Sequence, residues 1–332
     1  MTTYAINGLG RIGKLAIRPL LESGAKLAFL NDAMGDAAMH AHLLEFDTVH
    51  GRWDANISND ENNITINGTK IPFHNTRNQN ELPLEGVDVV IDCTGAFRTN
   101  EKLAPYFEAG VKKVVVSAPV KEADAANIVF AVNNDAYDPK THKVITAASC
   151  TTNCLAPVVK VMLDNFGIKH ASMTTIHDVT NTQVIVDRAH KDLRRARSAL
   201  NSLIPTTTGS AKAITQIFPE LVGKINGHAV RVPLLNSSLT DMVFEVERAV
   251  TADEVNAAMK AASESSLKGI LGYETRPLVS ADYTNDPRSS IIDALSTMVV
   301  NDTHVKLYSW YDNEWGYAQR LWDVADMVGQ SL

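Results

Sequence analysis

The chain has 332 residues, 45% of them hydrophobic and 21% charged, with a formal net charge of −7. That hydrophobic fraction fills a sizeable core, which excludes intrinsic disorder, and the length suits about two domains. The negative charge opposes non-specific attraction to nucleic acid or to an anionic membrane surface, so a bound phosphate must be held by a local pocket.

In chain order, residues 3–7 read as a strand, 13–23 as a helix and 25–31 as the next strand. Further strand-like runs follow at 87–93, 111–117, 128–132 and 144–147. Several are apolar on both faces, as strands buried in a parallel sheet are. A helical stretch covers 155–163, and Pro157 within it should bend the helix or limit its start. Residues 242–248 instead alternate, with Met242, Phe244 and Val246 on one face and Glu245 and Glu247 on the other. Residues 304–310 also read as a strand, and this half suits a mostly antiparallel sheet with one wet face. Thr251 to Glu254 forms a capping box before a helix carrying Val255, Ala258, Met259 and Ala262. The last helix presents Ala318, Leu321, Trp322, Ala325 and Val328 on one face. The expected class is α/β, a Rossmann-type parallel-sheet domain followed by an α+β domain with a mostly antiparallel sheet. No internal repeat or low-complexity linker interrupts it. No apolar run reaches the roughly 20 residues that span a bilayer, and the first residues lack a basic and an apolar region, so a cytoplasmic protein is expected.

Gly8-Leu9-Gly10-Arg11-Ile12-Gly13 directly follows the first strand and opens the first helix, the context a dinucleotide fingerprint requires. The first glycine permits the turn, the second the approach of a pyrophosphate, and the third the packing of helix on strand. Asp32 closes the second strand, where a carboxylate accepts ribose hydroxyls and repels a 2′-phosphate; this favours NAD over NADP. The alternative is a glycine turn with no ligand.

Three cysteines, Cys93, Cys150 and Cys154, are too few for a disulfide framework and suit a reducing compartment. Cys150 stands before the helical stretch, where the dipole stabilises a thiolate; Cys154, one turn on, and Cys93 read as small packing residues. His177 closes a strand-like run, and an imidazole beside a thiol can hold an ion pair and move protons. From residues alone, Cys150 and His177 are either a catalytic pair or two structural side chains. No paired Cys/His spacing suggests a metal site.

Six motifs, in order and spacing, resemble the glyceraldehyde-3-phosphate dehydrogenases. They are INGLGRIGK at 6–14, ASCTTNCLAP at 148–157, HKDLRRAR at 190–197, IPTTTGSAKA at 204–213, GHAVRVP at 227–233 and WYDNEWGYA at 310–318. The resemblance implies an NAD-binding domain over 1–149 and 315–332 and a catalytic domain over 150–314. It implies Cys150 as nucleophile and His177 as base. Thr180, Thr182 and Arg231 would hold the C3 phosphate of glyceraldehyde 3-phosphate. Ser149, Thr151, Thr208 and Gly209 would hold the attacking inorganic phosphate. Gly8, Gly10, Arg11, Ile12, Gly13, Asp32, Arg77 and Ser117 would line the cofactor site, and Asn313 would orient the nicotinamide. The Arg194, Arg195 and Arg197 cluster belongs, in that family, to a loop packed against a neighbouring subunit, which implies a homotetramer.

Arg188 and Ala189 stand where the family's NAD enzymes often carry Leu-Pro, so Arg188 with Arg77 leaves room for NADP. The segments EFDTVHGRW at 45–53, TTIHDVTNTQ at 174–183, TDMVFEVERA at 240–249 and residues 267–300 resemble a bacterial subgroup found with arsenic-resistance systems. That resemblance implies arsenate as an alternative to phosphate and a functional pairing with an organoarsenical efflux permease. Erythrose-4-phosphate dehydrogenase is the alternative enzyme, and a non-catalytic NAD-binding or RNA-binding protein the alternative of another class. The charge of −7 speaks against RNA.

Overall fold

In the computed structural model, which describes every residue except Lys121 and Ala123, the chain divides into two units. One is Met1–Ser149 with Ala318–Leu332, the other Cys150–Tyr317.

The first unit opens with β1 (Thr3–Asn7), α1 (Arg11–Glu22), β2 (Lys26–Asn31) and α2 (Ala37–Glu45). A small hairpin, β3 (Phe46–Asp47) and β4 (Gly51–Arg52), precedes a meander of β5 (Ile57–Asp60), β6 (Asn63–Ile66) and β7 (Thr69–His74). Then come β8 (Val89–Asp92), α3 (Asn100–Glu108), β9 (Lys113–Val116), β10 (Ala126–Asn127) and β11 (Val144–Thr146). The main sheet runs β10-β11-β9-β8-β1-β2-β7-β6-β5. It is parallel from β10 to β7 and antiparallel from β7 to β5. β1, β8 and β9 are buried at every position, which explains their apolar centres; the polar residues Thr3, Asn7, Asp92 and Lys113 stand at their ends. β1 has β2 on one side and β8 on the other, so the chain turns opposite ways from it. Such a switch point opens a crevice at the carboxyl ends of the strands.

The strand expected at 128–132 is not formed; only Ala126–Asn127 pairs with β11. Asn133 accepts from Val129 N at 2.7 Å and donates to Asn127 O at 3.1 Å, while Asn134 accepts from Ala131 N at 2.8 Å. These amides fold the chain into a turn, with Ala131 at φ 65°. Ile128 and Val129 are fully buried, so their apolar character serves the core rather than a ladder. The meander β5–β7 had no counterpart in the sequence reading.

The second unit begins with α4 (Cys150–Phe166), β12 (His170–His177), β13 (Ile204–Thr207), α5 (Ser210–Ile217), β14 (Ile225–Arg231) and β15 (Ser238–Glu245). It continues through α6 (Ala252–Glu264), β16 (Leu271–Glu274), β17 (Ser290–Asp293), β18 (Met298–Val300) and β19 (His304–Tyr311). Its sheet runs β13-β14-β12-β15-β19-β17-β16, with β18 paired to β19. All pairs are antiparallel except β12 with β14 and β16 with β17. β15 alternates buried and half-buried residues, as its sequence pattern requires. The capping box forms: Thr251 Oγ1 accepts from Glu254 N at 3.2 Å, and Glu254 Oε2 from Thr251 N at 2.8 Å. α4 starts at Cys150 and runs through Pro157, so the proline does not limit its start. Twelve buried residues on this helix offset the hydrogen bond that proline cannot donate.

α7 (Trp315–Gln330) closes the chain. Its Trp322 meets Tyr4 edge-on at 5.1 Å, and Gly329 O accepts from Thr2 Oγ1 at 2.8 Å. Among the described residues no helix is long and apolar enough to cross a membrane.

Candidate active site

At the carboxyl ends of β1, β2 and β8 lies a cleft of about 480 Å³, lined among others by Gly8, Gly10, Asp32, Met34, Arg77 and Thr94. Gly8 has φ 98°, and a Cβ there would meet the Cys93–Thr94 backbone at 2.6 Å. Gly10 faces open space, and a Cβ on Gly13 would lie 1.9 Å from Gly8 O, which is how close helix comes to loop. These are the three roles that a dinucleotide loop assigns to its glycines.

Asp32 is locked in place: Oδ2 accepts from Leu9 N at 2.7 Å and Oδ1 from Met34 N at 2.8 Å. Each oxygen keeps a further lone pair for a ribose hydroxyl. Arg77 reaches Met34 Sδ at 3.4 Å. Arg11, Ile12, Gly13 and Ser117 fall outside the lining. Arg11 instead grips Asp47 with two bonds of 2.5 and 2.9 Å. Burial opposes ionisation of Asp47, yet Arg11 and the N–H groups of His50 and Val49 hold its carboxyl down at about 2.

Beneath the cleft, Asp92 is fully buried at the end of β8. It accepts from Thr94 N at 3.0 Å, Thr94 Oγ1 at 2.7 Å and Tyr106 Oη at 2.8 Å. Asn7 Nδ2 donates to that Tyr106 oxygen at 2.5 Å, and Asn31 Nδ2 to Asn7 Oδ1 at 2.7 Å. Burial outweighs these donors and raises the Asp92 carboxyl to about 6.

In the second unit, Cys150 occupies the first position of α4, and its Sγ lies 3.7 Å from His177 Nε2. β12 delivers His177 at its last residue, and its parallel partner β14 delivers Arg231 beside it. The buried His177 Nδ1 has three polar neighbours: two acceptors, Asp178 Oδ1 at 2.6 Å and Asp178 O at 2.9 Å, and one competing donor, Arg231 Nη1 at 2.7 Å. One nitrogen cannot donate to the carboxylate and accept from the guanidinium at once. The first arrangement belongs to the imidazolium or to the neutral Nδ1–H tautomer, the second to the neutral Nε2–H tautomer. Burial pushes His177 toward neutrality, but Asp178 and Cys150 prevail and raise it to about 9. The Tyr311 ring meets His177 edge-on at 6.0 Å, and its hydroxyl bonds Thr151 Oγ1 at 2.9 Å and Thr175 Oγ1 at 2.8 Å.

Thr180 and Thr182 lie in a tight turn, their hydroxyls 3.0 Å apart. Gln183 N donates to Thr180 O at 2.9 Å, and Gln183 Oε1 accepts from Thr180 N at 3.0 Å. Arg195 bridges to this turn, donating to Thr182 Oγ1 at 3.2 Å and to Thr206 Oγ1 at 3.0 Å. Gln183 Nε2 and Arg231 Nε are buried donors with no partner. Gly209 caps α5, which packs against α4, and Thr208 Oγ1 accepts from Ser210 N at 3.2 Å. Ser149 is the last residue of the first unit before the break. Asn313 Nδ2 donates to Asp178 Oδ2 at 2.8 Å, and its buried Oδ1 has no partner.

Asp178, Gln183 and Tyr311 lie within the segments 174–183 and 310–318, where the family resemblance assigns them no role. A carboxylate directly after a strand-ending histidine was the one visible signal for Asp178. Arg195 was read only as part of an intersubunit loop.

Two family models match the chain. The NAD binding domain of glyceraldehyde 3-phosphate dehydrogenase matches residues 2–100 and the C-terminal domain of that enzyme residues 149–313. Glyceraldehyde-3-phosphate dehydrogenase 3 of Nostoc sp. is 58% identical over 331 residues, covering 98% of both chains. The enzyme of Geobacillus stearothermophilus is 53% identical over 97% of both chains. Glyceraldehyde-3-phosphate dehydrogenase 1 of Bacillus subtilis is 51% identical over 98% of this chain and 97% of its own. The chain belongs to the glyceraldehyde-3-phosphate dehydrogenase family. It is thus an NAD-dependent oxidoreductase acting on an aldehyde group, with its NAD-binding domain at the N-terminus. The cleft suits that cofactor, because Gly10 leaves room for phosphate while fixed Asp32 keeps free lone pairs for a ribose. For a dehydrogenase of this family, Cys93 and Cys154 are unlike Cys150. Burial pushes their thiols up to about 12 and about 11.

Proposed function

We infer that the protein oxidises glyceraldehyde 3-phosphate with NAD and inorganic phosphate to an acyl phosphate. The observation that carries this reading is Cys150 at the head of α4 with His177 Nε2 3.7 Å from its sulfur. His177 takes the thiol proton, and the thiolate adds to the aldehyde carbon. The resulting alkoxide recovers that proton from the imidazolium, leaving a thiohemiacetal on Cys150. His177, now neutral, takes the hydroxyl proton as the carbon is oxidised to a thioester. NAD, when bound, supplies the acceptor for the hydride. Phosphate then attacks the thioester carbonyl and expels the Cys150 thiolate. Covalent catalysis divides one hard step into two easier ones.

Thr180, Thr182 and Arg231 serve the C3 phosphate in this reading, and the unpartnered donors Arg231 Nε and Gln183 Nε2 support an anion there. Ser149, Thr151, Thr208 and Gly209 serve the attacking oxyanion, and Asn313 serves the nicotinamide amide. Asp32 selects NAD, while Arg77 and, from an adjacent subunit, Arg188 supply charge for a 2′-phosphate, so NADP is used alongside it. Exposed Ile185, Val186, Leu193, Leu200 and Leu203 on one loop support burial against other copies in a homotetramer. The protein works in the cytoplasm.

Arsenate matches phosphate in shape and charge, so the same thioester gives 1-arseno-3-phosphoglycerate. The segments at 45–53 and 267–300 support a role in arsenate detoxification beside an organoarsenical efflux permease. A steady-state assay crossing NAD with NADP and phosphate with arsenate tests the chemistry. NADH formation that ignores both oxyanions overturns the phosphorylating reading and favours water attack, as in erythrose-4-phosphate oxidation. A deletion strain with unaltered arsenate tolerance removes the arsenic role and leaves the chemistry standing.

A further inference from the structure

The reaction as written makes no use of Asp178, a residue that is only 1% exposed. Its Oδ1 lies 2.6 Å from His177 Nδ1 and accepts from Ser238 Oγ at 3.1 Å, while Oδ2 accepts from Asn313 Nδ2 at 2.8 Å. A carboxylate this deep is tolerated because donors surround it. Those donors include both the base and the residue assigned to the nicotinamide.

We propose that Asp178 is a positioning residue serving two ends of the reaction through its two oxygens. Oδ1 keeps the His177 ring protonated at Nδ1 and turned with Nε2 toward Cys150. Oδ2 fixes the Asn313 amide so that its Oδ1 faces away, unpartnered, as an acceptor for a carboxamide N–H. This rests on the functional reading above. The argument for the first end is one of competition. Arg231 Nη1, 2.7 Å from the same Nδ1, demands a lone pair there. Without the carboxylate the one acceptor left to Nδ1 is Asp178 O at 2.9 Å, which Arg231 Nη1 also claims at 3.0 Å; the guanidinium then favours the neutral ring, and the Cys150 thiolate loses its counter-ion. The groups facing His177 are Cys150 from α4, Asp178 beyond β12, Arg231 from β14 and the Tyr311 ring from β19; Arg195 acts on Arg231 from further out.

The argument for the second end is geometric. An amide offers one acceptor and two donors, and its orientation is set by whichever partner is ionic. Asp178 settles it for Asn313, so the nicotinamide-facing atom is chosen before any cofactor arrives.

The test is the rate of Cys150 alkylation by iodoacetamide across pH 5–10 in the full protein and in Asp178→Asn. The substitution preserves shape but replaces the charged acceptor facing His177 with a neutral amide. The expected result is a loss of roughly tenfold or more in alkylation rate near pH 7. kcat should fall by about 10² or more, since the ring is then held in the wrong protonation state. KM for NAD should rise through Asn313. A folded Asp178→Asn protein whose alkylation profile superimposes on the parent overturns the proposal. Should the variant fail to fold, the low-field Nδ1 proton resonance of His177 in the parent protein decides. Its presence at pH 7 supports the role, and its absence at pH 7 overturns it. Alkylation needs no substrate. A parent enzyme inactive on glyceraldehyde 3-phosphate therefore defeats the functional reading without touching this result.

Discussion

Replacing Asp92 by asparagine should change how stability depends on pH, by an amount the structure sets. Burial raises this carboxyl to about 6 from an ordinary 3.8. Between those two values the folded state holds a proton that the unfolded state has released. Stability from this group is therefore full below pH 3.8 and falls as pH rises through 6. A shift of about two units amounts to about 3 kcal/mol at 1.36 kcal/mol per unit. Asparagine cannot titrate, so the difference in stability between variant and parent should swing by that amount, in favour of the variant, from pH 4 to pH 7. The constant cost of weaker bonds to Thr94 and Tyr106 cancels in the swing. For a unit of this size, about 3 kcal/mol is about 6–12 °C in midpoint. Thermal unfolding of both proteins at half-unit pH steps reads it directly. A difference in midpoint that stays constant from pH 4 to 7 refutes the reasoning and places the Asp92 proton elsewhere.

Three other perturbations probe the chemistry. Cys150→Ser should abolish turnover and leave NAD binding intact, because a hydroxyl is a far weaker nucleophile while the glycine loop is untouched; dehydrogenase assay and cofactor titration check the two halves. Iodoacetate should label Cys150 well before Cys93 or Cys154, whose thiols burial pushes to about 12 and about 11; peptide mapping showing equal labelling would contradict this. Asp32→Ala should weaken NAD binding and improve use of NADP relative to NAD. It also strips Leu9 N–H of its acceptor, so the glycine loop should loosen for both cofactors; an unchanged NAD/NADP ratio would show that the adenosine ribose sits elsewhere.

The parts legible in the sequence are those whose physics is local. β1, β8 and β9 announce themselves because the middle of a strand covered on both faces is apolar on both, with polar residues only at the strand ends. The glycine loop is legible because Gly8 and Gly13 answer backbone contacts with the adjoining strand and within the turn, while Gly10 leaves open space. The 128–132 segment misled for a related reason. Its apolar residues are buried, but the asparagines at 133 and 134 decide its backbone, and their effect lies in side-chain bonds rather than periodicity. The meander β5–β7 carries too many exposed polar positions to register as strand.

Asp178 shows where reading by pattern stops. Two successive residues of a strand point to opposite faces, so a histidine followed by an aspartate reads as one buried and one solvated side chain. The structure escapes that rule because β12 ends at His177. Asp178 N leaves the ladder for Ser238 Oγ, and Val179 N turns to Leu234 O. That turn swings the carboxylate back under the ring. Its other partner, Asn313, is 135 residues away and arrives only once the sheet has placed the end of β19 nearby. Motif matching brings Cys150, His177 and Asn313 to attention separately. Only the folded register shows that one buried carboxylate ties the last two together. A substitution at 178 would therefore reach both the proton-transfer group and the amide, although the 174–183 segment that contains Asp178 assigns it no role.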